Sequence, residues 1–215
     1  MQDLDSQLDY WNTTGTHKPF AHPLNLRRVR QWLSPENRIL DFGCGYGRCL
    51  GQLLNEEYSD LIGLDFSPAM IAAARAQFPE IAFQEIDSLS IPLPDASVDG
   101  VLLFSVLTCI ATDEGQQALI AELRRVLRRG GLLYISDLCL QADERNLARY
   151  ARDQQKYGVY GVFDLPEGVT VRHHDPKWIE TLTKDFDMVA LDNIEVVTMN
   201  GNPAQAFQWF GLKPA

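Results

Sequence analysis

Positive charge is scarce in this chain of 215 residues: 19 Lys and Arg stand against 29 Asp and Glu, a formal net charge of −10. That balance argues against a surface that tracks nucleic-acid phosphates. A local basic cluster, Arg124-Arg125 with Arg128-Arg129, falls on a predicted helix with apolar positions Leu119, Ile120, Leu123, Val126 and Leu127, and reads as a solvated helix face. No apolar run approaches the ~20 residues that span a bilayer, so no membrane partner is expected. The acidic start Met1-Gln2-Asp3-Leu4-Asp5 has no apolar stretch behind it, so no secretory signal is expected. Cysteine is sparse too. Cys44, Cys49, Cys109 and Cys139 form no C-x-x-C pair and no zinc spacing with histidine, so no metal site is expected. Free thiols of this kind behave as small hydrophobes in a reducing, cytoplasmic compartment. Internal repeats and low-complexity linkers are missing, and 46% apolar with 22% charged residues is ordinary globular composition.

Within that composition, apolar segments alternate with helical ones from about Arg38 to Asp137, the pattern of a parallel sheet covered by helices. Strands are expected at Arg38–Phe42, Asp60–Leu64, Ile81–Glu85, Val98–Phe104 and Leu132–Ser136. Ser67 suits an N-cap and Pro68 the first turn of a helix running to Phe78. A helix over Gln116–Leu127 is expected to end on Gly130-Gly131 as a C-cap, and Asp99 to cap a turn into the fourth strand. Beyond Asp137 come a polar helix over 141–158, a glycine-hinged aromatic loop from Tyr157 to Phe163, a helix over Pro176–Lys184, and two β-rich runs, Met188–Met199 and Ala204–Leu212. Asn200-Gly201-Asn202-Pro203 joins those runs as a turn, giving an antiparallel hairpin at the sheet edge.

The most informative stretch is Asp41-Phe42-Gly43-Cys44-Gly45-Tyr46-Gly47, directly behind the first strand. Glycines at alternate positions let a strand turn into a helix while a ligand lies against bare backbone. A pyrophosphate would be repelled by Asp41, and the phosphate-binding pattern needs glycine where this chain has Arg48. S-adenosylmethionine carries a sulfonium and an α-ammonium, both favoured beside a carboxylate. Asp65 closes the second strand 24 positions beyond Asp41, where an acidic side chain accepts both hydroxyls of a ribose. Asp87-Ser88 follows the third strand and suits an adenine amino group. Phe66 offers an apolar face to the purine, and Phe104-Ser105 would line the floor.

Five segments in register carry a family resemblance: Ile39 to Gly47, Gly63 to Ser67, Glu85 to Leu89, Asp95 to Asp99, and Leu123 to Gly131. Together they resemble class I S-adenosylmethionine-dependent methyltransferases of the small-molecule, type-11-like kind, over roughly Arg38 to Asp137. The resemblance implies an α/β, Rossmann-like, doubly wound sheet of seven mostly parallel strands with a reversed hairpin at its end. It also implies that Asp41, Gly43 and Gly45 receive the methionine portion, Asp65 the ribose and Asp87 the adenine. The whole chain reads as one domain: a lid with its helix over 1–37, the cofactor core over 38–137, a variable acceptor-side insertion over 138–175, and a C-terminal helix and hairpin over 176–215.

Methyl transfer from a sulfonium is an in-line displacement, so an enzyme chiefly aligns donor with acceptor and excludes water. A base is needed only for an acceptor that arrives protonated, and no catalytic residue is named from sequence. Acceptor contacts are expected outside the sheet. The segment Tyr10 to Leu24 is rich in aromatic and hydrogen-bonding groups. In related methyltransferases such a segment folds over the cofactor, which makes Tyr10, Trp11, His17, Lys18 and His22 candidate contacts; local packing is their other reading. Tyr157 and Tyr160, between glycines, suit a mobile pocket wall. His173 is a candidate proton acceptor, although adjacent His173 and His174 face opposite sides and make a poor metal pair. Ser105, Thr108 and Cys109 either contact substrate or start a helix. The leading reading is methyl transfer from S-adenosyl-L-methionine, leaving S-adenosyl-L-homocysteine, to a small-molecule acceptor. The others are a non-catalytic cofactor-binding module and an enzyme that alters the cofactor itself.

Overall fold

Ile39–Phe42 is buried at every position, as a strand flanked and covered on all sides must be. The structure is a computed structural model that describes residues 4–215, with side chains from Gln7 onward except that of His17. Two helices come first, α1 (Leu4–Asn12) and α2 (Leu26–Trp32). Strand and helix then alternate through β1 (Ile39–Phe42), α3 (Arg48–Leu54), β2 (Leu61–Asp65), α4 (Pro68–Gln77), β3 (Ala82–Glu85), β4 (Val98–Phe104), α5 (Asp113–Val126) and β5 (Leu127–Leu138). The remainder is α6 (Glu144–Tyr157), the short pair β6 (Val162–Asp164) and β7 (Thr170–Arg172), α7 (Pro176–Leu182), β8 (Asp187–Val197) and β9 (Pro203–Leu212).

Seven strands form one sheet in the order β3-β2-β1-β4-β5-β9-β8. The first five are parallel, and β9 runs antiparallel to both β5 and β8. Alternation along each strand sends side chains to opposite faces. Leu40, Phe42, Val101, Leu103, Leu133 and Ile135 pack under α5 and α7, while Ile39, Leu102, Phe104, Leu132 and Tyr134 pack under α2, α3 and α4. Ser67 caps α4 as expected, its hydroxyl accepting from Met70 N at 3.2 Å. Among the described residues no helix is long and apolar enough to cross a membrane.

Three local expectations are corrected. Helix α5 starts earlier, on the N-cap Thr112, and it ends at Leu127, whose extended backbone (φ −66, ψ 133) already opens β5. Gly130-Gly131 is therefore no C-cap but a bend inside β5. Gly130 has φ +72, and Gly130 N donates to Lys213 O while Lys213 N returns a bond to Gly131 O. Pairing with the chain's last residues outcompetes helix continuation there. The aromatic loop is also more structured than its glycines imply. Gly158 (φ +71) caps α6, and β6 follows at once, paired with β7. Asp99 caps no turn: inside β4 it accepts Arg38 N at 2.7 Å and pairs with Arg128 Nε at 2.6 Å. Of the basic cluster, Arg125 pairs with Glu122 and Asp95, while Arg124 and Arg129 are exposed as a solvated face requires.

Asp99→Ala leaves the Arg38 N–H, at the entrance to β1, without its acceptor. The exposed Arg128 contact adds little. The variant should lose about 1–2 kcal/mol of stability, read as a lower urea midpoint at unchanged slope.

Candidate active site

Strand order reverses between β1 and β4, and a cavity of about 300 Å³ opens beyond their carboxyl ends. Its floor is the loop after β1. Gly43 (φ +71) and Gly47 (φ +81) hold left-handed backbone that suits glycine, and a Cβ on Gly43 would lie 2.4 Å from the Val106 side chain. Gly43 N and Cys44 N donate to Leu64 O at 2.7 and 3.0 Å, tying the loop to β2. Asp65, at the end of β2, completes the tie: one carboxylate oxygen accepts Gly45 N and the other Ser67 N, both at 2.8 Å.

Asp41 is in a different state from the ionised one that its sequence position suggests. It is buried, one of its oxygens has no hydrogen-bond partner, and burial pushes its carboxyl up to about 8. Arg48 opposes that rise and Asp65 adds to it.

The roof is built by α1 and the strap after it. Trp11, Phe20 and Tyr46 border the cavity as a ladder of tilted rings, with centroids 6.1 and 5.5 Å apart. Ser67 Oγ donates to Asn12 Oδ1 at 2.6 Å, fastening the end of α1 to the cap of α4. Arg48 Nη2 donates to His22 O at 2.7 Å and fastens the strap. The far wall follows β4: Ser105, Val106, Cys109 and Ile110. Ser105 sits at φ +55, strained for a serine, and is held by a bond from its N–H to Ser136 O.

Of the residues singled out by sequence, Trp11, Asp41, Gly43, Gly45, Asp65, Phe66, Asp87, Phe104 and Ser105 border this cavity together. Ser88 is exposed beside Asp87 and does not. The His17 side chain lies outside the described ones. Six others are placed elsewhere, each by a partner that draws it away. Tyr10 turns into the cluster of Tyr150, Phe163, Leu165, Val169 and Val171, and its hydroxyl reaches Met199 Sδ at 3.7 Å. Lys18 meets Glu167 at 3.4 Å and Asn200 at 2.5 Å. His22 is buried, Nδ1 2.9 Å from Ser136 Oγ, and burial lowers its pKa to about 4. Tyr157 donates to Asp164, and the exposed Tyr160 rests on Tyr150. His173 is buried with Nδ1 2.6 Å from Tyr150 Oη. These residues support the roof from behind.

The wall after β4 is braced from behind, partly by residues outside the cofactor core. Thr108 N donates to Asp137 at 3.1 Å and Thr108 Oγ1 to Arg172 O at 2.8 Å. Gln116 Nε2 donates to Leu107 O and Ile110 O at 2.9 and 2.8 Å, while its Oε1 accepts Trp178 Nε1 at 2.6 Å. Sequence reasoning missed Gln7, Leu8, Phe20, Tyr46, Arg48 and Ile110 on the cavity. Phe20 lay in the segment already marked as a roof, but a search for hydrogen-bonding groups passes over a phenylalanine.

Residues 39–131 match the family described as a methyltransferase domain. Over that stretch the chain is similar to S-adenosylmethionine-dependent methyltransferases. An O-methyltransferase from Aspergillus sclerotiorum is 32% identical over 132 residues, 59% of this chain and 49% of the relative. A probable S-adenosylmethionine-dependent methyltransferase from Mycolicibacterium smegmatis is 37% identical over 98 residues, 46% of this chain and 37% of the relative. The chain thus spans half or less of the length of these curated relatives. A solved S-adenosylmethionine-dependent methyltransferase from Methanosarcina mazei has the same fold, with TM-score 0.82 and 23% identity over 87% of this chain and 97% of that one. The methyltransferase cofactor suits the cavity's own features. The buried carboxyl oxygen of Asp41 that lacks a partner among the described residues would suit a cation, and Asp65, fixed through one lone pair on each oxygen, has others that would suit vicinal hydroxyls.

A cation docked beside Asp41 must expel its proton. Below pH 8, S-adenosylhomocysteine should therefore bind with release of up to about one proton and tighten as pH rises toward that value. Calorimetry in two buffers of different ionisation enthalpy measures the release, which Asp41→Asn should abolish.

Proposed function

We propose that this chain transfers a methyl group from S-adenosyl-L-methionine to a small-molecule acceptor, leaving S-adenosyl-L-homocysteine. The observation that carries the reading is one crevice that joins a glycine cradle and two carboxyl groups to a roofed, largely apolar chamber. When bound, the cofactor supplies a methyl group on a cationic sulfur, open to in-line displacement. Gly43 and Gly45 leave room for its methionine portion, with Asp41 toward the cationic groups. Asp65 holds the ribose hydroxyls. Asp87 faces the adenine, with Ser88 exposed beside it, and Phe66 and Phe104 cover its apolar surface.

The chain's share of the chemistry is alignment and exclusion of water. Trp11 and Phe20 close the roof, and Ser105 and Val106 set the wall the acceptor meets. The three histidines with described side chains are committed elsewhere: His22 to Ser136, His173 to Tyr150, and His174 to Leu138 O and Gln116. Burial lowers their pKa values to about 4, 4 and 3, which keeps them neutral and outside the cavity. A non-catalytic module would have no need of a shaped chamber latched at Asn12, Lys18 and His22, which favours the enzyme. The net charge of −10 supports a small acceptor over a nucleic acid. Four unpaired cysteines fit the cytoplasm. Within one domain, α1 and the strap after it act as the roof, 38–137 as the cofactor core, and 138–215 as its brace and edge hairpin.

Consumption of cofactor with a panel of small acceptors, and the product mass, separates methyl transfer from cofactor modification. Asp65→Ala should weaken S-adenosylhomocysteine binding by about 1–3 kcal/mol through lost charge-assisted hydrogen bonds. An unchanged dissociation constant in a folded variant places the ribose elsewhere, and tight NADH binding with none of S-adenosylhomocysteine overturns the assignment.

A further inference from the structure

The acidic groups of the crevice sit on one side. Asp41, Asp65, Glu85 and Asp87 all come from the ends of β1, β2 and β3, the side assigned to the nucleoside and amino acid. Arg48 borders the same side and spends one nitrogen on His22 O. The uncharged half is the wall of Val106, Cys109 and Ile110 after β4 together with the roof of Leu8, Trp11 and Phe20, which reaches over the glycine loop: Phe20 lies 3.8 Å from where a Cβ on Gly45 would stand. Cys109 adds no charge there. Burial pushes its thiol well up, and the thiol donates to Ser105 O at 3.4 Å.

Resting on the methyltransferase reading, we propose that this half admits an uncharged, flat aromatic acceptor and rejects acceptors that carry a formal charge. An anion would enter a cavity shared with four carboxyl groups and meet no cation on its own side among the described side chains. Desolvating it there is unfavourable, with no partner to offset the loss. A cation would be drawn past the chamber to Asp41, where it competes with the cofactor's own positive head. An uncharged ring loses nothing on leaving water and gains contact with tilted aromatic faces. The Trp11, Phe20 and Tyr46 planes differ in steps of 38° and 33°, offering ring faces rather than a closed stack. The wall opposite is aliphatic, held in place by the bonds of Gln116 and Thr108 behind it.

Ligand-observed NMR titration of the full chain, saturated with S-adenosylhomocysteine, tests this with three probes of one ring size: anisole, benzoate and benzylammonium. Anisole should bind at least about 10-fold more tightly than either ion. In Ile110→Lys, which places an ammonium on the wall, benzoate should overtake anisole; the dissociation constant for S-adenosylhomocysteine, measured alongside, checks that the variant is folded. Benzoate or benzylammonium binding wild-type protein as tightly as anisole overturns the proposal, as does failure of all three to bind the loaded protein, or an unaltered preference in folded Ile110→Lys. Failure of S-adenosylhomocysteine itself to bind falls on the methyltransferase reading first, and so is told apart from failure of the acceptor class alone.

Discussion

The Asp65 carboxylate is where the parts of the site meet. Through Gly45 N it fixes the turn after β1, and through Ser67 N it fixes the entry to α4. Ser67 in turn reaches Asn12, so the roof helix is joined to the same carboxylate through two hydrogen bonds. An acidic side chain at the end of β2 is thus a structural hub before it is a ligand contact. Two charge-assisted bonds of this kind are strong enough to keep the carboxylate oriented in the absence of a ligand, which is the condition for binding without a reorganisation cost. The same bonds explain why burial alone does not decide its protonation: desolvation raises its pKa, but the N–H groups of Ser67, Gly45 and Phe66 oppose the rise. Asp41 receives no such donors, and its carboxyl is driven much further.

Residues 138–175 act at one remove. They contribute no side chain to the cavity border, yet they meet it from two directions. Tyr150, Phe163, Leu165, Val169 and Val171 enclose Tyr10 and so carry the outer face of α1, while Glu167 takes Lys18. Arg172 and His174 lie behind the wall after β4, the first through its carbonyl to Thr108 and its guanidinium to Ala111 O, the second through Gln116. His174 is held between two groups, with Nδ1 3.1 Å from Leu138 O and Nε2 3.0 Å from the Gln116 amide nitrogen. Changes in this segment would reshape the acceptor chamber without touching the acceptor.

How much of this was legible follows from the range of each interaction. Strands β1 to β4, the glycine loop and Asp65 were readable because local pattern and chain position determine them: an apolar run, alternate glycines, an acidic residue at a strand's end. The fate of Tyr10, Lys18, His22, Tyr157 and His173 was not, because the partners that withdraw them are Met199, Glu167, Ser136, Asp164 and Tyr150, most of them distant in sequence. A polar side chain near a site advertises hydrogen bonding but not with whom. Phe20 shows the converse, an aromatic residue with nothing to advertise that nevertheless forms the middle of the roof. Gly130-Gly131 illustrates a third limit. As local sequence it is a helix terminator, and only pairing with Lys213 turns it into a bend within β5.

The buried titratable groups pull stability in opposite directions with pH. His22, His173 and His174 have folded pKa values below the ordinary 6.5, so the unfolded chain takes up protons first. Their contribution is present above that value and is lost as pH falls toward 4. Asp41 and Asp137 behave oppositely: burial raises them to about 8 and 7, so the folded state holds protons that the unfolded chain has released, and the fold loses ground as pH rises from 3.8 through those values. At neutral pH the histidines therefore cost nothing, whereas the two carboxyl groups do. Asp137 is relieved from within, by the N–H groups of Leu138 and Thr108. Asp41 has only the distant field of Arg48, and a cation in the crevice is what would relieve it. On the proposed reading, a cation held beside Asp41 would offset that cost, and the stability of the sheet and occupation of the crevice would be linked through this one carboxyl.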